Sequence, residues 1–560
     1  MEAPAPTGGW TGRHAVEVYV RTYSTMLQSS GEIRIDSLVQ AHIGMESALH
    51  PLGASPEVDM GALIYSVRRL PAAIARSRKV ILSQSPEDFK AALGVDILSW
   101  QKVEAPARRR RWYYDGEGTL AVLLASHSDI DDLVPALVAY QLEWNKLHRL
   151  LPEGELDCER ARAAAQASEA DWQRLEQAWR PDFTSTLAAV QDSECHITLR
   201  MVGGTNVGYS RAFHRWWSPV GGGLQALGLQ DSPVYFVSSN LHSLINVLSG
   251  VARRFETDIH EFVRREDADL YQEWRKLDAG ESQGSRENWL YFAARRLFDQ
   301  HPRSEEFRQR RIEIENQLGI VHISARAGVD SAVQLFKLSE LDPACFDPRV
   351  GKVDADALRR SRAAILNVDY PLGLGAYHML RQVAEQVGSI AGVYVLGKAA
   401  TLNADVGDVM IANVVFNEHS QNTYWMDNCF TADDVQPHLV FGSAVDNQRA
   451  VTVRGTFLQN REYLEFYYQG RFTVVEMEAG PYLDACFEAS HPGRYPMSDN
   501  VNMTRLGFDL GVIHYASDTP YTQARTLGAR GLSYRGMDST YASAVAVARR
   551  ILQQEKALAG

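Results

Sequence analysis

The sequence has few cysteines and no long apolar run. Its five cysteines, at positions 158, 195, 345, 429 and 486, are far apart, odd in number and never spaced as Cys-x-x-Cys. This pattern indicates neither a disulfide framework nor a metal site, and it fits a reducing cytoplasm. No stretch approaches the roughly eighteen uninterrupted apolar residues of a membrane span, and the first residues lack a basic segment followed by an apolar one. We therefore expect neither membrane insertion nor secretion.

The chain also lacks an excess of basic residues. Lys and Arg number 57 against 69 Asp and Glu, which gives a formal net charge of −12. Binding along a nucleic acid backbone needs basic residues clustered over a large face, so nucleic acid is not an expected partner. The apolar content of 45% and the charged content of 22% are ordinary for globular chains and do not indicate large-scale disorder.

A length of 560 residues exceeds what one hydrophobic core usually supports, so we expect two or three domains. The first part of the chain has apolar residues at helical spacing in three segments, residues 15–27, 63–74 and 120–147. Proline residues interrupt the pattern between these segments. The pattern predicts a mainly helical domain over residues 1–190.

The pattern changes near residue 191. Residues 195–202 and 234–237 are strand-like, and each run is followed by small or polar residues, which predicts a smaller α/β unit over residues 191–316. After the second run, Ser-Ser-Asn-Leu-His-Ser at 238–243 offers helix caps and backbone donors of the kind that bind anions. Capping alone is the simpler interpretation of that turn.

Four consecutive arginines at residues 108–111 form the densest basic run. Guanidinium groups hold phosphates through bidentate hydrogen bonds, so this run is a candidate grip for a nucleotide phosphate. A solvated surface is the commoner role of such a run, and it is the interpretation that we prefer from the sequence.

Two motifs place carboxylates at the ends of apolar runs. Val-Glu-Met-Glu-Ala at 475–479 follows Phe-Thr-Val, and Tyr-Ala-Ser-Asp at 515–518 follows Gly-Val-Ile-His. Both runs are typical of buried strands. A glutamate there is costly to bury without a partner, and the adjacent hydroxyls of a ribose can both donate to one carboxylate. A helix N-terminus, where Glu favours the first turn, is the alternative for either glutamate alone, but the pairing of the motifs favours a sugar site.

These motifs resemble the nucleoside phosphorylase and nucleosidase superfamily, which includes the bacterial methylthioadenosine/adenosylhomocysteine nucleosidases and AMP nucleosidase. Two upstream segments are also similar to that family: the run at residues 393–411, and the strand-like residues 364–370 followed by Gly-Leu-Gly at 373–375 and an amphipathic stretch. The four segments stand in the family's order. The resemblance covers residues 317–560, a plausible size for one α/β domain.

The resemblance implies both a fold and an assembly. Residues 317–560 are expected to form a three-layer α/β/α domain with a central, mixed, twisted sheet, preceded by the mainly helical region and the smaller α/β unit. The family commonly builds its site at or near a subunit interface, so we expect a homo-oligomer, with an isologous dimer as the default.

The resemblance also implies roles for residues of the two carboxylate motifs. Asp518 is the expected general acid that protonates the departing base, because an apolar strand end can keep a carboxyl group protonated near neutrality. Glu478 is expected to accept from the 2′ and 3′ hydroxyls, Met477 to pack under the ribose, and Glu476 to play a lesser binding or structural part. Tyr463 stands near the place where the family stacks an aromatic ring on the base, although a tyrosine in an aromatic run is more often a core residue.

Turns after the predicted strands supply further candidates. Gly373 and Gly375 would allow close approach of the backbone to a ligand. Gly397 begins the turn that lies beside the base and phosphate in the family, where Lys398 replaces the expected hydroxyl residue. Lys398 is expected either to hold a phosphate or to pair with the site carboxylates, with a surface lysine as the third reading. Arg326 follows the first strand of this domain and would hold phosphate or position a water, unless it is a generic surface arginine.

Two substitutions favour hydrolysis over phosphorolysis. Val395 stands where hexameric phosphorylases carry a phosphate-binding arginine, and His514 stands four residues before Asp518, where an arginine is common. The favoured function is therefore N-ribosyl hydrolysis of a purine nucleoside or nucleotide, without a cofactor, although phosphate could serve as a co-substrate. Phosphorolysis is the runner-up. A catalytically inactive nucleoside-binding domain that acts as a sensor or scaffold is the alternative from a different class.

Overall fold

The computed structural model describes residues 8–29, 31–154, 157–204, 206–325, 328–518 and 535–559. Its α-helices are α1 (Gly8–Gln28), α2 (Val39–Gly44), α3 (Met60–Arg69), α4 (Pro86–Leu93), α5 (His127–Leu150), α6 (Cys158–Ala164), α7 (Glu169–Trp179), α8 (Phe183–Asp192), α9 (Asn206–Ala226), α10 (Ser243–Ser249), α11 (Val251–Arg254), α12 (Glu256–Glu266), α13 (Ala268–Asp278), α14 (Arg286–Gln300), α15 (Ser304–Gln317), α16 (Ala355–Arg360), α17 (Leu374–Gln386), α18 (Ala432–Val435), α19 (Arg461–Gln469), α20 (Ala479–Ser490) and α21 (Asp538–Ala559).

The strands are β1 (Ile33–Arg34), β2 (Lys79–Ser83), β3 (Gln101–Ala105), β4 (Arg108–Tyr114), β5 (Thr119–Leu123), β6 (Thr198–Met201), β7 (Pro233–Ser239), β8 (Ile320–Ile323), β9 (Val333–Lys337), β10 (Ala364–Asp369), β11 (Ser389–Thr401), β12 (Val409–Asn417), β13 (Asn422–Trp425), β14 (Ala444–Thr452), β15 (Val474–Glu476), β16 (Asn500–Asn502) and β17 (Asp509–Asp518). Among the described helices, none is both long and apolar enough to cross a bilayer.

Strands β1 to β6 form a six-stranded mixed sheet in the order β1-β6-β2-β5-β4-β3. Side chains of α1, α3, α5, α7 and α8 share one buried core with this sheet. The predicted helical region is thus rich in helix, as expected, but it also holds five of the six strands of a sheet that the sequence pattern did not reveal. The strands escaped notice because they are short and because β4 begins with four arginines rather than with an apolar alternation.

Helix α5 illustrates the difference locally. The apolar spacing predicts one helix over residues 120–147, whereas the structure forms β5 first and begins the helix after Ser126. The N–H groups of Ala125 and Ser126 both donate to Asp129 Oδ2, at 2.8 and 3.1 Å, which fixes the start of the helix. Residues 120–123 are buried, and a short fully buried strand cannot be told from helix by periodicity alone.

The second sheet has eleven strands. Ten lie in the order β16-β13-β12-β14-β15-β11-β7-β10-β9-β8, and β17 pairs with both β11 and β12. One face packs against a core that includes helices α10, α12, α14 and α21, and the other packs against α9, α17 and α20. This is a three-layer α/β/α arrangement with parallel and antiparallel pairs, so the predicted fold class is confirmed.

Part of the large sheet closes on itself. Strand β11 pairs with β17, β17 with β12, β12 with β14, β14 with β15, and β15 with β11 again. The strands of both carboxylate motifs, β15 and β17, are members of this ring. Closure brings together strand ends that stand about forty residues apart in the sequence.

The strands predicted for a small α/β unit over residues 191–316 belong to two different sheets. Strand β6 belongs to the six-stranded sheet, whereas β7 lies inside the large sheet between β10 and β11, parallel to both. The family-like sheet therefore begins upstream of residue 317, and restricting the resemblance to residues 317–560 is wrong. Sequence pattern identified both strands but could not assign their partners, because parallel pairing is set by distant tertiary contacts.

Candidate active site

Glu476 and Glu478 have different environments. Strand β15 ends at Glu476, and Glu476 Oε2 accepts the N–H groups of Glu478 and Ala479 at 2.6 and 2.7 Å, which satisfies the first turn of α20. Thr452 Oγ1 donates to the other oxygen of the same carboxylate. Burial raises the pKa of Glu476 to about 7. Glu476 therefore caps a helix, as the alternative reading of this motif proposed for one glutamate, and it also lines the first of the two cavities described below.

Glu478 instead faces open space. Its side chain lines two adjoining cavities. Burial and the neighbouring Glu476 raise the pKa of Glu478 to about 8, against the opposing effect of the Arg108 guanidinium. A carboxyl group so poised gains most from a ligand that supplies hydrogen-bond donors or positive charge.

The two cavities differ in character. The first, here the apolar cavity, has a volume of about 330 Å³, and its lining includes Tyr65, Arg69, Arg108, Lys398, Ala399, Ala400, Val453, Leu464, Met477 and Glu478. The second, here the polar cavity, has a volume of about 620 Å³, and its lining includes Arg108, Arg109, Arg295, Asp330, Tyr370, Gly375, Gly397, Lys398 and Glu478. Arg108, Lys398 and Glu478 line both. Volumes of this size suit small-molecule ligands.

Three arginines of the run, Arg108 to Arg110, line these cavities, which corrects the preferred reading of a solvated face, although Arg109 is also exposed. Arg110 pairs with Asp129 at 2.7 Å and with Asp132 at 2.6 Å, and Arg108 pairs with Asp132 at 2.7 Å. Both arginines point to one side because side chains alternate along a strand. Arg109 takes the other side and pairs with Asp369 at the end of β10.

The two sheets meet around the site through α5. Arg454 donates to Asp131 through Nε and Nη2 at 3.2 and 3.1 Å, and Tyr23 donates to the same fully buried aspartate at 2.5 Å. Ser128, one helical turn away, accepts the N–H of Leu374 at 2.9 Å. The part of the chain built on the six-stranded sheet therefore forms one wall of the site.

The backbone places the end of β17 beside the same cavities. Ala400, which lines the apolar cavity, is opposite Val475 on one side and opposite Asp518 on the other. The two motif strands thus end on either side of one residue of β11. Only the backbone of Asp518 is described, so its assignment as general acid stays a prediction, and Arg326 lies outside the described residues.

Of the other predicted residues, Met477, Lys398, Gly375 and Gly397 line a cavity. The backbone N–H of Gly373 favours the ionised form of Glu478. His514 is buried behind Glu476, with Nε2 3.8 Å from Glu476 Oε2, and burial lowers its pKa to about 4. It lies outside the lining of both cavities, so a direct contact with ligand is not what this position provides.

Tyr463 also lies outside both linings. It stands on α19, where its ring stacks on Tyr467 with centroids 5.9 Å apart. Asn460 caps this helix, and the residue after Tyr463, Leu464, lines the apolar cavity. The aromatic ring in the lining of the apolar cavity is that of Tyr65 on α3, a residue that the sequence reasoning did not single out.

Sequence reasoning missed the contribution of α3. Tyr65 and Arg69 stand four residues apart on this helix and both line the apolar cavity. Their spacing is that of any helix face, so no local signal marked them. The run of arginines marked Arg108 as a candidate binding residue. The burial of Arg108, however, depends on the carboxylates near the start of α5, which the sequence did not connect with it. Among the described residues, no group of three or more His, Cys, Asp or Glu is arranged to hold a metal ion.

Comparisons with solved structures give low similarity. A putative methylthioadenosine nucleosidase from Weissella paramesenteroides aligns over 42% of this chain and 91% of its own, with 13% identity and a TM-score of 0.27. The S-adenosylhomocysteine nucleosidase of Streptococcus pyogenes, in complex with 5-methylthiotubericidin, aligns over 42% and 89%, with 12% identity and a TM-score of 0.28. Uridine phosphorylase from Schistosoma mansoni, in complex with thymine, aligns over 60% and 91%, with 10% identity and a TM-score of 0.29.

Among curated proteins, none matches the sequence. A family model described as a family of unknown function (DUF6909) matches residues 35–553. The match includes strands β2 to β17 and every residue described above as lining the two cavities. Because it spans nearly the whole chain, the protein belongs to this family of unknown function, DUF6909.

Proposed function

We propose that the protein is an N-ribosyl hydrolase that cleaves the N-glycosidic bond of a purine nucleoside or nucleotide. The observation that carries the proposal is the placement of Glu478: its carboxyl group lines two ligand-sized cavities beside Met477, at the junction of β15 and α20. A carboxylate in this position can accept both hydroxyls of a ribose. The resemblance of the Val-Glu-Met-Glu motif to nucleosidases supports the same role.

The proposed reaction needs a proton for the departing base and fixed sugar hydroxyls, because positive charge develops on the sugar as the bond breaks. Glu478 would hold the 2′ and 3′ hydroxyls, and Asp518 would protonate the base. The pairing of Asp518 with Ala400 supports this assignment, since Ala400 lines the apolar cavity. Water would attack the sugar from the side of the polar cavity.

Phosphorolysis is the second candidate, and a specific observation favours it. Lys398 and Arg108 line both cavities, and Arg109 and Arg295 line the polar one, so cations surround the space from which the nucleophile would approach. Phosphate binds to such groups. Against it, Val395 is buried within β11 and offers no charge where hexameric phosphorylases carry an arginine.

The test is a panel of purine and pyrimidine nucleosides and their 5′-monophosphates, incubated with the full chain and read by chromatography. Release of free base with ribose or ribose 5-phosphate, in phosphate-free buffer, is the expected result. Strict dependence on phosphate, with ribose 1-phosphate as product, would show a phosphorylase. Binding without release of base from any substrate would show a sensor or scaffold.

A further inference from the structure

Arg69 is a cation without a carboxylate partner in the apolar cavity. Its only hydrogen bond among the described residues runs from Nη1 to the carbonyl oxygen of Tyr65, at 3.2 Å, one turn back on α3. Its Nε is shielded from solvent and has no acceptor within the described part of the chain, and no ion pair with a described carboxylate involves this residue. Burial of an N–H donor without an acceptor is costly, and a bound anion is one way to supply the missing acceptor.

Arg108, which lies near Arg69 and also lines the apolar cavity, shares this property. One terminal nitrogen of its guanidinium pairs with Asp132, but its Nε is also shielded and without an acceptor among the described residues. Both side chains line the apolar cavity, and Arg108 is close enough to Glu478 to lower the pKa of that carboxyl group. Two unsatisfied guanidinium donors therefore stand in the same cavity as the proposed ribose-binding carboxylate.

The local charge balance leaves an excess of positive charge. Arg69, Arg108 and Arg110 stand near Asp129, Asp132 and Glu478, and the carboxyl group of Glu478 is mostly protonated near neutrality because its pKa is raised to about 8. Asp59 also lines the cavity, but at the far end of α3, where its carboxylate accepts the N–H groups of Leu52 and Ala62. Burial and the repulsion of Arg108 lower the pKa of Arg69 to about 10, although the nearby Tyr65 and Asp132 oppose the shift. An anion bound there would restore the balance.

The guanidinium of Arg69 is also held in place. Its central carbon lies 3.2 Å from the ring centroid of Tyr65, which stacks the planar group on the aromatic face. Stacking fixes the plane of the guanidinium group before any ligand binds, so less conformational entropy is lost on binding. A phosphate group offers several acceptor oxygens and up to two negative charges, so it suits two guanidinium groups better than a carboxylate does.

We propose that Arg69 and Arg108 bind a phosphate group of the ligand in the apolar cavity, so that the substrate is a nucleoside phosphate and not a free nucleoside. This inference rests on the proposed function, because Glu478 is taken to hold the ribose of the same molecule. The part of the chain built on the six-stranded sheet then determines substrate class, since it supplies both arginines. Inorganic phosphate is the other source of the same chemistry, and the test separates the two.

The experiment is calorimetry on the full chain with formycin A and formycin A 5′-phosphate, whose C-glycosidic bond resists hydrolysis, and with inorganic phosphate. The wild type is expected to bind the 5′-phosphate at least about tenfold more tightly than formycin A, as charge-assisted hydrogen bonds imply. Arg69→Gln should abolish that preference and leave the affinity for formycin A within about threefold. Arg69→Lys, which keeps the charge but loses the planar guanidinium group, should retain part of the preference for the 5′-phosphate.

Arg68→Gln is the matched control, because Arg68 precedes Arg69 on the same helix and lines neither cavity. It should bind all three ligands as the wild type does. An equal loss for formycin A and its phosphate in Arg69→Gln, or no preference in the wild type, would overturn the inference. Binding of inorganic phosphate that depends on Arg69, without preference for the 5′-phosphate, would assign the site to a co-substrate and also overturn it.

Failure of the proposed function gives a different result. If the wild type releases no base from any nucleoside or nucleotide but still prefers the 5′-phosphate through Arg69, the phosphate site stands and the hydrolase assignment falls. If base is released equally well from nucleosides and nucleotides, and calorimetry shows no preference, the hydrolase stands and the phosphate site falls.

Discussion

Gly373 and Ser128 are packed so closely that a Cβ built on the glycine would lie within 3.0 Å of both Oγ and Cβ of the serine. The glycine stands at the start of α17, with a φ of 51°, and its N–H favours the ionised form of Glu478. The serine belongs to α5 and accepts the N–H of Leu374. The contact at this glycine thus links α5 to the start of α17.

We predict that Gly373→Ala destabilises the protein by more than about 2 kcal/mol, because it combines backbone strain at positive φ with a collision against Ser128. Denaturant unfolding measures the change. Gly280→Ala is the control, since Gly280 also has positive φ, at 72°, but would place its Cβ in open space. An equal cost for the two variants would show that the contact with Ser128 contributes nothing.

The second prediction concerns pH and Glu478. The folded pKa of about 8 lies above the ordinary value of 4.5, so the folded state holds a proton that the unfolded state releases. Stability from this group is therefore full below pH 4.5 and falls as pH rises toward 8. Glu478→Gln should flatten this fall, and thermal unfolding between pH 5 and 9 would show it. Because the pKa of Glu476 is also raised, to about 7, stability of the variant should still fall with rising pH, but less steeply.

Glu478→Gln should also weaken riboside binding by about 1.5–3 kcal/mol, the usual contribution of hydrogen bonds to a charged group. In the wild type, affinity should rise with pH up to about 8, because the hydroxyls donate to the ionised carboxylate. Calorimetry at pH 6, 7 and 8 measures both effects. Affinity that is independent of pH and unchanged in the variant would remove Glu478 from the sugar site.

Asp518→Asn should keep ligand binding and lose about 10²–10⁴-fold in rate, because an amide fills the same space without delivering a proton. Single-turnover kinetics beside calorimetry would separate chemistry from binding. Asp509→Asn, at the other end of the same strand, tests whether any loss reflects damage to β17, since Asp509 pairs with Arg550 and neither residue lines a cavity. Undiminished turnover in Asp518→Asn would show that another residue is the general acid.

The ion pair between Asp131 and Arg454 should couple the two sheets. Arg454→Met leaves a fully buried carboxylate without its cation and should cost on the order of 3 kcal/mol. Adding Asp131→Asn should recover part of that loss, because the amide carries no charge. A double-mutant cycle by denaturant unfolding measures the coupling. Additive effects would show that the pair does not hold the two parts together.

The sequence alone determined the elements that carry strong local signals. The apolar runs before the two carboxylate motifs are the strands β15 and β17, and residues 364–383 form the predicted strand, glycine turn and helix. These assignments succeed because burial of β-branched residues, positive φ at glycine and helical periodicity are all written in neighbouring residues. The mixed α/β class follows from the same signals.

Only the tertiary structure decided how distant parts share one site. No local pattern places β7 between β10 and β11, closes five strands into a ring, or turns Arg108 toward Asp132 while Tyr65 and Arg69 line a cavity with Glu478. Most of these contacts join residues that are far apart in the sequence, and their energies depend on burial that exists only after both sheets have formed. The motifs identified the carboxylates of the site. The cations that line the same cavities belong largely to a part of the chain whose role the sequence left open.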